Sequence, residues 1–390
     1  MDYEKDFKRF ALRSLSYVLV AAVSCVATLL LWGGGNGKLQ ELKTMINERF
    51  VGQIDWVAAE DAAAAAMVDA LGDQWSYYIS AEDYAAFEER KDNAFVGIGI
   101  TILLREDGIG FDIMEVTEGG PAWEVGIRPG DILVEAAGQS AEGMDTDDVK
   151  NLIRGKEGTQ VEVAILREGE KYTFSVKRQQ IRTPVATAKL LQNNIGLVTI
   201  ENFNANCFAE TKAAVEQLLE QGATALIFDV RNNGGGYVRE MTNLLDYLLP
   251  EGVIYRDKDY MGTEEQIYSD KDCLDLPMAV LVNQNSYSAA EFFGAVLQEY
   301  DWATVVGEHT TGKGYYQNTL KLSDGSAVNL STGKYFTPEG VNLMETGGIA
   351  PDAEVPVDED TFSAIYYGSL LPEEDPQIQK AVAVLLETAG

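Results

Sequence analysis

The segment Val280–Gln317, VLVNQNSYSAAEFFGAVLQEYDWATVVGEHTTGKGYYQ, decides how the rest of this sequence is interpreted. Its hydrophobic pattern predicts a buried strand over Ala279–Val282, a short loop, and a helix that begins near Ser288. A second apolar strand, Thr304–Gly307, precedes a glycine-flanked turn that carries Lys313. A serine therefore lies where a strand leads into a helix, and a lysine lies on a tight turn after the next strand.

This arrangement of serine and lysine is suited to nucleophilic catalysis. The first N–H groups of a helix have no intrahelical acceptor and carry partial positive charge, so they can stabilise an oxyanion. A serine hydroxyl is a poor nucleophile until a base removes its proton, and a buried lysine with a lowered pKa can be that base. Most serines and lysines are solvated surface residues, so the surrounding residues must decide whether this pair is catalytic.

Those surrounding residues resemble the C-terminal processing peptidases, also called tail-specific or carboxyl-terminal proteases. NQNSYSAAE over Asn283–Glu291 is similar to the family pattern N-x-x-S-A-S-A-S-E, and TTGKGYYQ over Thr310–Gln317 is similar to T-F-G-K-G-x-x-Q. The resemblance implies that Ser288 is the nucleophile, Lys313 the general base and Gln317 the residue that orients the lysine. The sequence departs from the pattern at three positions, none of which carries a catalytic group: Tyr287 for Ala, Ala290 for Ser and Thr311 for Phe.

Composition excludes several functional classes. The chain has 390 residues, 46% of them apolar, which is enough for two or three packed domains. A formal net charge of −32, from 30 basic and 62 acidic residues, argues against nucleic acid as a partner. We expect no metal and no cofactor, because no Cys/His cluster has metal-ligand spacing. Cys25 lies in an apolar run, and Cys207 and Cys273 either pair or remain buried thiols.

The N-terminus predicts a membrane anchor. Residues 1–14 are polar and include four basic residues, and residues 15–32 form an uncharged run close to the lower length limit of a membrane-spanning helix. A cleaved signal peptide is the alternative, but residues 33–37 are glycine-rich and no A-x-A site is present. The basic leading flank predicts a cytoplasmic tail at 1–14 and a single-pass cell-membrane protein whose catalytic part is extracytoplasmic.

Residues 38–92 are predicted to form a helical domain. Apolar residues recur at helical spacing, and LGDQWSYYI over Leu71–Ile79 is similar to L-D-D-P-Y-S-x-Y-L in the same family. The pattern itself predicts a small helical bundle that buries aromatic side chains. The resemblance implies an N-terminal domain of the kind that helps these proteins form homodimers.

Residues 93–180 change to short β-rich runs separated by turns. Here GIRPGDIL over Gly126–Leu133 and a predicted groove helix at Thr146–Arg154 fit a PDZ domain. Such a groove binds an extended peptide by strand addition and captures its terminal carboxylate on backbone N–H groups. VGIGI looks like the carboxylate-binding loop, so we expect the peptide to contact Val96, Gly97, Ile98, Gly99 and Ile100.

Residues 181–357 alternate strands and helices, which predicts an α/β core, and the resemblance implies a ClpP/crotonase-like serine protease fold. The overall class is therefore α/β plus β, with the PDZ domain inserted before the core. DVRNNGGG over Asp229–Gly236 is similar to D-L-R-N-N-P-G-G, with Gly234 in place of the proline. We predict that the N–H groups of Gly235 and Ala289 are the oxyanion donors. Residues 358–390 form a C-terminal segment outside the resemblance.

Two functions remain to be separated. The first is a membrane-anchored serine endopeptidase that recognises protein substrates by their unfolded or apolar C-terminal tails. The alternative is a catalytically silent, membrane-tethered PDZ scaffold, which would need neither Ser288 nor Lys313. His309, the only histidine, is expected at the surface. Gly307–Lys313 matches the start of a phosphate-binding loop, but a predicted strand rather than a helix follows, so we expect no nucleotide there.

Overall fold

The computed structural model describes residues 37–105 and 107–388. The predicted cytoplasmic tail, the anchor at residues 15–32 and Cys25 lie outside these residues. Within the described ranges, no helix combines the length and the apolar character needed to cross a membrane. The chain divides into two compact units, with the boundary between Ala63 and Ala64.

The first unit contains helix α1 (Lys38–Arg49) and the beginning of helix α2 (Trp56–Asp69). Lys43 on α1 pairs with Glu60 on α2, and its ammonium lies 5.0 Å from the centroid of the Trp56 ring. Neither helix buries a residue, and apolar side chains such as Leu39 remain 50% exposed. The prediction of a bundle that buries aromatic residues is wrong for these helices, because their apolar side chains face no packed core.

The second unit begins with a strand and a helix that join the later core. Strand β1 (Tyr77–Ile79) is followed by helix α3 (Ala81–Lys91). The Ser80 hydroxyl accepts a hydrogen bond from the Asp83 N–H at 3.1 Å, so it caps the start of α3. Phe87 of α3 is buried, which makes α3 the helix of this region that contributes an aromatic side chain to a core.

The next part of the unit is the predicted PDZ domain. Its antiparallel sheet has the strand order β3-β4-β5-β7-β8, and β6 pairs with β5. Strands β2 and β9 pair with each other, so both ends of the domain leave through one two-stranded ribbon. Helix α5 packs beside β3. The elements are β2 (Ala94–Gly97), β3 (Ile100–Leu104), β4 (Phe111–Val116), α4 (Pro121–Glu124), β5 (Ile132–Ala136), β6 (Gln139–Ser140), α5 (Thr146–Ile153), β7 (Gln160–Arg167), β8 (Glu170–Lys177) and β9 (Gln179–Arg182).

The α/β core is built on a six-stranded sheet with the order β10-β11-β12-β15-β16-β19. All neighbours are parallel except β10 and β11. The central strands β12 and β15 are buried along their whole length, as expected for parallel strands covered on both faces. The elements of this sheet and its helices are β10 (Ala186–Leu190), β11 (Ile195–Ile200), α6 (Cys207–Glu220), β12 (Ala225–Asp229), α7 (Val238–Leu248), β15 (Met278–Val282), α8 (Ala289–Glu299), β16 (Ala303–Gly307) and β19 (Ala353–Glu354).

A second sheet covers one end of the core. Its strand order is β1-β18-β13-β14, and β17 pairs with β18. Tyr77 of β1 lies opposite Asn329 of β18, so this pairing carries the segment before β1 onto the core. The remaining elements are β13 (Gly252–Asp259), β14 (Glu264–Ser269), β17 (Tyr315–Lys321), β18 (Ala327–Phe336), α9 (Leu343–Thr346), α10 (Glu359–Tyr366), α11 (Pro376–Thr388) and a 3-10 turn at Gln192–Asn194.

The two cysteines within the described residues are free thiols. Cys207 is buried and Cys273 is exposed. Burial raises the pKa of Cys207 to about 12, so its thiol is unreactive near neutral pH. The expectation of a pair of buried thiols therefore holds for Cys207 and not for Cys273.

The C-terminal segment is part of the core. Side chains of α11 pack on the face of the central sheet formed by alternate residues such as Ile227 and Leu281. At the start of α11, Asp375 forms an ion pair with Arg231, 2.8 Å from Nη1 to Oδ2. Arg231 also pairs with Asp229 at 2.6 Å, and all three side chains are almost completely buried. The C-terminal helix therefore braces the loop that follows β12.

Replacing Asp375 by alanine should destabilise the fold more than replacing an exposed capping aspartate. Asp229 still pairs with Arg231 in this variant, but the lost bond to the buried guanidinium should cost about 1.5–3 kcal/mol in the free energy of unfolding. Asp358 caps α10 from an exposed position, so Asp358→Ala should cost about 1 kcal/mol. Urea denaturation of both variants measures the difference; equal losses would show that the buried ion pair contributes little.

Candidate active site

The carboxyl ends of three neighbouring parallel strands meet at one cleft. The loop after β12 supplies Gly234 and Gly236, the loop after β15 supplies Ser288, and the loop after β16 supplies Lys313. Sheets of this kind bind ligands at this edge. The cleft has a volume of about 460 Å³. Much of its wall is aromatic, with contributions from Trp75, Tyr77, Tyr237, Tyr255, Tyr287, Phe292, Tyr316 and Tyr335.

Ser288 immediately precedes α8, in an unusual backbone conformation. Its φ is 59° and its ψ is −126°. A positive φ at a residue with a side chain costs roughly 1–3 kcal/mol, and such strain concentrates at functional sites. The Ser288 carbonyl accepts the first helical bond from Phe292 N at 2.8 Å. The N–H of Ala289 belongs to the first turn, where helical N–H groups lack intrahelical acceptors, so the serine lies at the positive end of the helix.

Gly235 packs directly against this serine. Its φ is +85°, and a Cβ atom there would lie 2.7 Å from Ser288 Cβ and 2.8 Å from Ala289 N. Only glycine fits this approach. The Gly235 N–H donates to Asn233 Oδ1 at 2.8 Å, so in this conformation it is engaged within its own loop. The role of Gly235 as an oxyanion donor stays a prediction that requires this bond to open.

Lys313 is buried in the cleft, with 8% of its surface exposed. Its Nζ lies 4.5 Å from the centroid of the Trp75 ring and 5.9 Å from that of Tyr287. Burial lowers the pKa of Lys313 to about 8, and the negative charges of Asp73 and Glu291 oppose this shift. No hydrogen bond joins Lys313 to Ser288 among the residues that the structure describes. The two side chains share a cleft, and the amine rests against the aromatic wall.

Gln317 lies on β17 and lines the same cleft. Its amide nitrogen donates to the Tyr315 carbonyl at 3.1 Å and to Ser331 Oγ at 3.0 Å. Ser331 also bonds to Asp73, which is one of the two carboxylates that act on Lys313. Gln317 is thus connected to the lysine through Ser331 and Asp73, and its direct orienting role stays a prediction.

The predicted carboxylate loop lies at one end of a groove in the β-rich domain. Gly97 ends β2, Ile98 is buried, and Gly99 has a φ of +77°. The groove is flanked on the other side by Lys150 and Arg154 at the C-terminal end of α5. The Arg154 guanidinium lies 5.1 Å from the centroid of the Phe95 ring. The groove has a volume of about 270 Å³, and Val96 lies next to it without lining it.

The alternative sites considered from sequence acquire no support. His309 is exposed, and its Nδ1 lies 3.1 Å from the Thr310 carbonyl. The turn at Lys313 is followed by strand β17, whereas a phosphate-binding loop continues into a helix. In the described part of the chain, no group of three or more His, Cys, Asp or Glu side chains could hold a metal ion.

Comparisons with known proteins agree with this architecture. Residues 194–355 match the family model Peptidase family S41, and residues 113–167 match a PDZ domain. A Staphylococcus aureus protein named "Probable CtpA-like serine protease" is 30% identical over 322 residues, which cover 82% of this chain and 64% of that protein. A Staphylococcus epidermidis protein of the same name is 32% identical over 295 residues, covering 74% of this chain and 59% of that protein.

These matches support the C-terminal processing peptidase family for this chain, which combines an S41 peptidase domain with a PDZ domain. It spans less than two thirds of the length of the curated relatives that it matches. A solved structure of a candidate S41 protease from Bacteroides fragilis shares the fold, with a TM-score of 0.52 and 16% identity, covering 87% of this chain and 93% of that one. The PDZ domain and the S41 peptidase domain expected from the sequence are both confirmed.

Sequence reasoning missed the role of one residue of the peptidase motif, Glu291. This buried residue lies in the first turn of α8, one helical turn from Ser288. Its carboxylate accepts hydrogen bonds from Gly312 N at 2.6 Å, from Lys313 N at 2.9 Å and from Thr310 Oγ1. Burial raises the pKa of Glu291, and these three hydrogen bonds oppose the rise. The spacing Ser-x-x-Glu predicts a capping box, but Ser288 makes no side-chain cap hydrogen bond, so this spacing gave no signal for the bonds to the Lys313 turn.

The asparagines of the two motifs also have a structural role. Asn283 Oδ1 accepts from Asn232 N at 2.9 Å, and Asn283 Nδ2 donates to Asn232 Oδ1 at 2.9 Å. Ser286 Oγ donates to the Val230 carbonyl at 2.8 Å. The loops after β12 and β15 are therefore joined side by side, which sets the glycine loop against Ser288.

We expect Glu291→Gln to destabilise the peptidase domain. An amide offers one acceptor oxygen, and its NH2 group would face a backbone N–H that now donates to the carboxylate. Leaving such a buried donor unpaired costs about 1–3 kcal/mol in the free energy of unfolding. Glu220→Gln, at an exposed position of α6, is the matched control and should change it by less than about 0.5 kcal/mol. Urea denaturation with equal midpoints for the two variants would contradict this role of Glu291.

Proposed function

We propose that this chain is a serine endopeptidase that cleaves protein substrates after docking their C-terminal tails in the PDZ groove. Ser288 is the nucleophile and Lys313 the general base. The observation that carries the proposal is a backbone-strained serine at a helix start that shares a cleft with a buried lysine. The match to the S41 family model supports the same activity.

Each group in the proposed mechanism has a chemical role. The neutral Lys313 amine removes the proton of Ser288 while Oγ attacks the scissile carbonyl carbon. The Ala289 N–H, at the positive end of α8, stabilises the oxyanion of the tetrahedral intermediate. The protonated Lys313 then donates its proton to the leaving amine, and a water molecule hydrolyses the acyl-enzyme. Gly235 becomes a second oxyanion donor once its N–H no longer donates to Asn233.

The proposed mechanism requires one movement of the Lys313 side chain before catalysis. The Lys313 amine lies against Trp75, so rotation about its four-carbon stem has to bring Nζ to the Ser288 hydroxyl. The backbone of Lys313 needs no movement, because Glu291 holds its N–H and Tyr335 donates to its carbonyl. Activation is therefore a side-chain step on a fixed loop.

The PDZ groove suits a peptide tail with an apolar end and a terminal carboxylate. Ile98 and Ile153 supply apolar surface, and Lys150 and Arg154 are cations on a chain whose net charge is −32. We propose that a substrate tail adds as a strand beside β3 and that the rest of the substrate reaches the cleft extended.

Membrane attachment and assembly complete the proposal. The uncharged run at 15–32, preceded by basic residues, supports a single-pass anchor with the catalytic part outside the cytoplasm. Apolar side chains of α1 that stay exposed, such as Leu39 and Leu42, support a homodimer in which a second copy covers them.

Casein or tailed-peptide cleavage by the purified chain tests the Ser288–Lys313 pair. Ser288→Ala and Lys313→Ala should each reduce the rate by at least about 10³-fold. Lys313→Arg should be equally inactive, because a guanidinium stays protonated and cannot accept the serine proton. Lys212→Ala, whose side chain on α6 is 41% exposed, is the control and should retain the wild-type rate. Folded but active Ser288→Ala protein would reject the mechanism.

The pH dependence of the same reaction follows from the lowered pKa of Lys313. Only the neutral amine is a base, so kcat/KM should rise with pH through about 8 and level off above it. A rate that stays flat between about pH 6 and 9, with chemistry limiting, contradicts the lysine base. A wild-type protein that binds tails but never cleaves would favour the silent scaffold.

Binding of tail peptides to the Ser288→Ala protein tests the PDZ groove separately. A peptide with an apolar C-terminal residue and a free carboxylate should bind, and its C-terminal amide should bind roughly 10–100-fold more weakly, because hydrogen bonds to a charged group are lost. Fluorescence anisotropy measures both affinities. Equal affinities for the acid and the amide would show that the carboxylate is not recognised.

A further inference from the structure

Two departures from the family pattern lie in contact with each other. Tyr287 stands where the pattern has alanine, and Gly234 stands where it has proline. A Cβ atom on Gly234 would lie 2.6 Å from Tyr287 Oη and 2.9 Å from its Cζ. A proline ring at this position would therefore overlap the Tyr287 ring. Gly234 and Tyr287 fit together, whereas a proline at position 234 would require the Tyr287 side chain to shift.

The Tyr287 ring continues into an aromatic surface above the lysine. Its centroid lies 5.3 Å from that of Trp75, with the planes tilted by 36°. Lys313 Nζ lies 4.5 Å from the Trp75 centroid and 5.9 Å from the Tyr287 centroid. Trp75 reaches this position because β1 pairs with β18 and Ser76 Oγ accepts from Ser331 N at 2.9 Å. The two rings come from different parts of the chain and cover one amine.

We propose that Trp75 and Tyr287 are positioning residues for Lys313, and that Gly234 makes room for the Tyr287 ring. This proposal rests on the proposed role of Lys313 as the general base and deepens it. The rings exclude water from the lysine stem, while their faces attract the ammonium when it is protonated. They hold the amine in the cleft that Ser288 also lines.

Water exclusion determines whether the two rings raise or lower the pKa of Lys313. Burial disfavours the charged form of Lys313, and cation–π attraction favours it; the net pKa is lowered, so burial is the larger effect. Two carboxylates oppose it, Asp73 before β1 and Glu291 on α8. The other titratable groups that line the cleft are Tyr77, Lys91, Tyr237, Tyr255, Tyr287, Tyr316 and Tyr335. The rings of Trp75 and Tyr287 form an aromatic cover over the amine. Removal of either ring would let water reach the amine and should raise the pKa of Lys313 towards its ordinary value.

The first arm of the experiment tests the contact between positions 234 and 287 by thermal unfolding, without any activity. Gly234→Pro should lower Tm by roughly 2–8 °C, because the ring of the new residue overlaps Tyr287. Adding Tyr287→Ala to Gly234→Pro should recover most of that loss. If Gly234→Pro lowers Tm equally with Tyr287 present or absent, the proposal that Gly234 makes room for the Tyr287 ring is overturned.

The second arm measures the titration of Lys313 directly. Amine acetylation of Lys313 by a dilute anhydride, quantified by mass spectrometry across pH in the Ser288→Ala background, reports the fraction of neutral amine. Trp75→Ala and Tyr287→Ala should move the midpoint to higher pH, while Trp75→Phe and Tyr287→Phe, which keep a ring, should restore it. An unchanged midpoint in both alanine variants overturns the positioning role.

The third arm links the cover to turnover. In the otherwise wild-type chain, Tyr287→Ala should move the alkaline rise of kcat/KM to higher pH and leave the high-pH plateau in place. The rate at pH 7 should then fall about tenfold for every pH unit by which the midpoint rises. A loss that is equal at every pH overturns the positioning role and indicates general damage to the site. If Ser288→Ala removes no activity, the proposed function fails, whereas the first two arms still report on the cover.

Discussion

The hydrogen bonds accepted by the Glu291 carboxylate are the interaction on which the site depends. Ser288 begins the helix that carries Glu291, and Glu291 binds the backbone N–H groups of Gly312 and Lys313. The backbone at Ser288 and the backbone at Lys313 are therefore linked through one helical turn and two hydrogen bonds. Burial of this carboxylate costs free energy, and the three hydrogen bonds that it accepts offset that cost.

The same principle holds the other side of the cleft. Asn232 and Asn283 bond to each other across the ends of two parallel strands, and Asn233 binds the Gly235 N–H. These side chains fix the backbone of their loops by hydrogen bonds. Ser288, with its strained φ, therefore lies among loops that are held in place. Strain of this kind persists only where the surroundings over-determine the conformation. Arg231, buried between Asp229 and Asp375, extends that bracing to the C-terminal helix.

How much could be predicted from the sequence depended on the range of the interaction. Local periodicity placed the strand before Ser288 and the helix after it within one or two residues, since both are set by neighbouring residues. The motifs that match the family pattern predicted Ser288, Lys313 and Gln317 as site residues, and all three line one cleft. Helices α1 and α2 followed their pattern but buried nothing, because a helical pattern does not say what covers its apolar face. The bond from Gly235 to Asn233 and the bonds of Gln317 are details of rotamers that no spacing encodes.

Trp75 illustrates the part that sequence reasoning could not reach. It lies far along the chain from Lys313, and only the pairing of β1 with β18 brings the two together. The residues shared with the family pattern build the backbone frame, as Glu291 and Asn283 show. The residues that depart from the pattern, Gly234 and Tyr287, instead form the surroundings of the lysine amine. Under the proposal, the rings of Trp75 and Tyr287, and not this backbone frame, set the pH at which Lys313 becomes neutral.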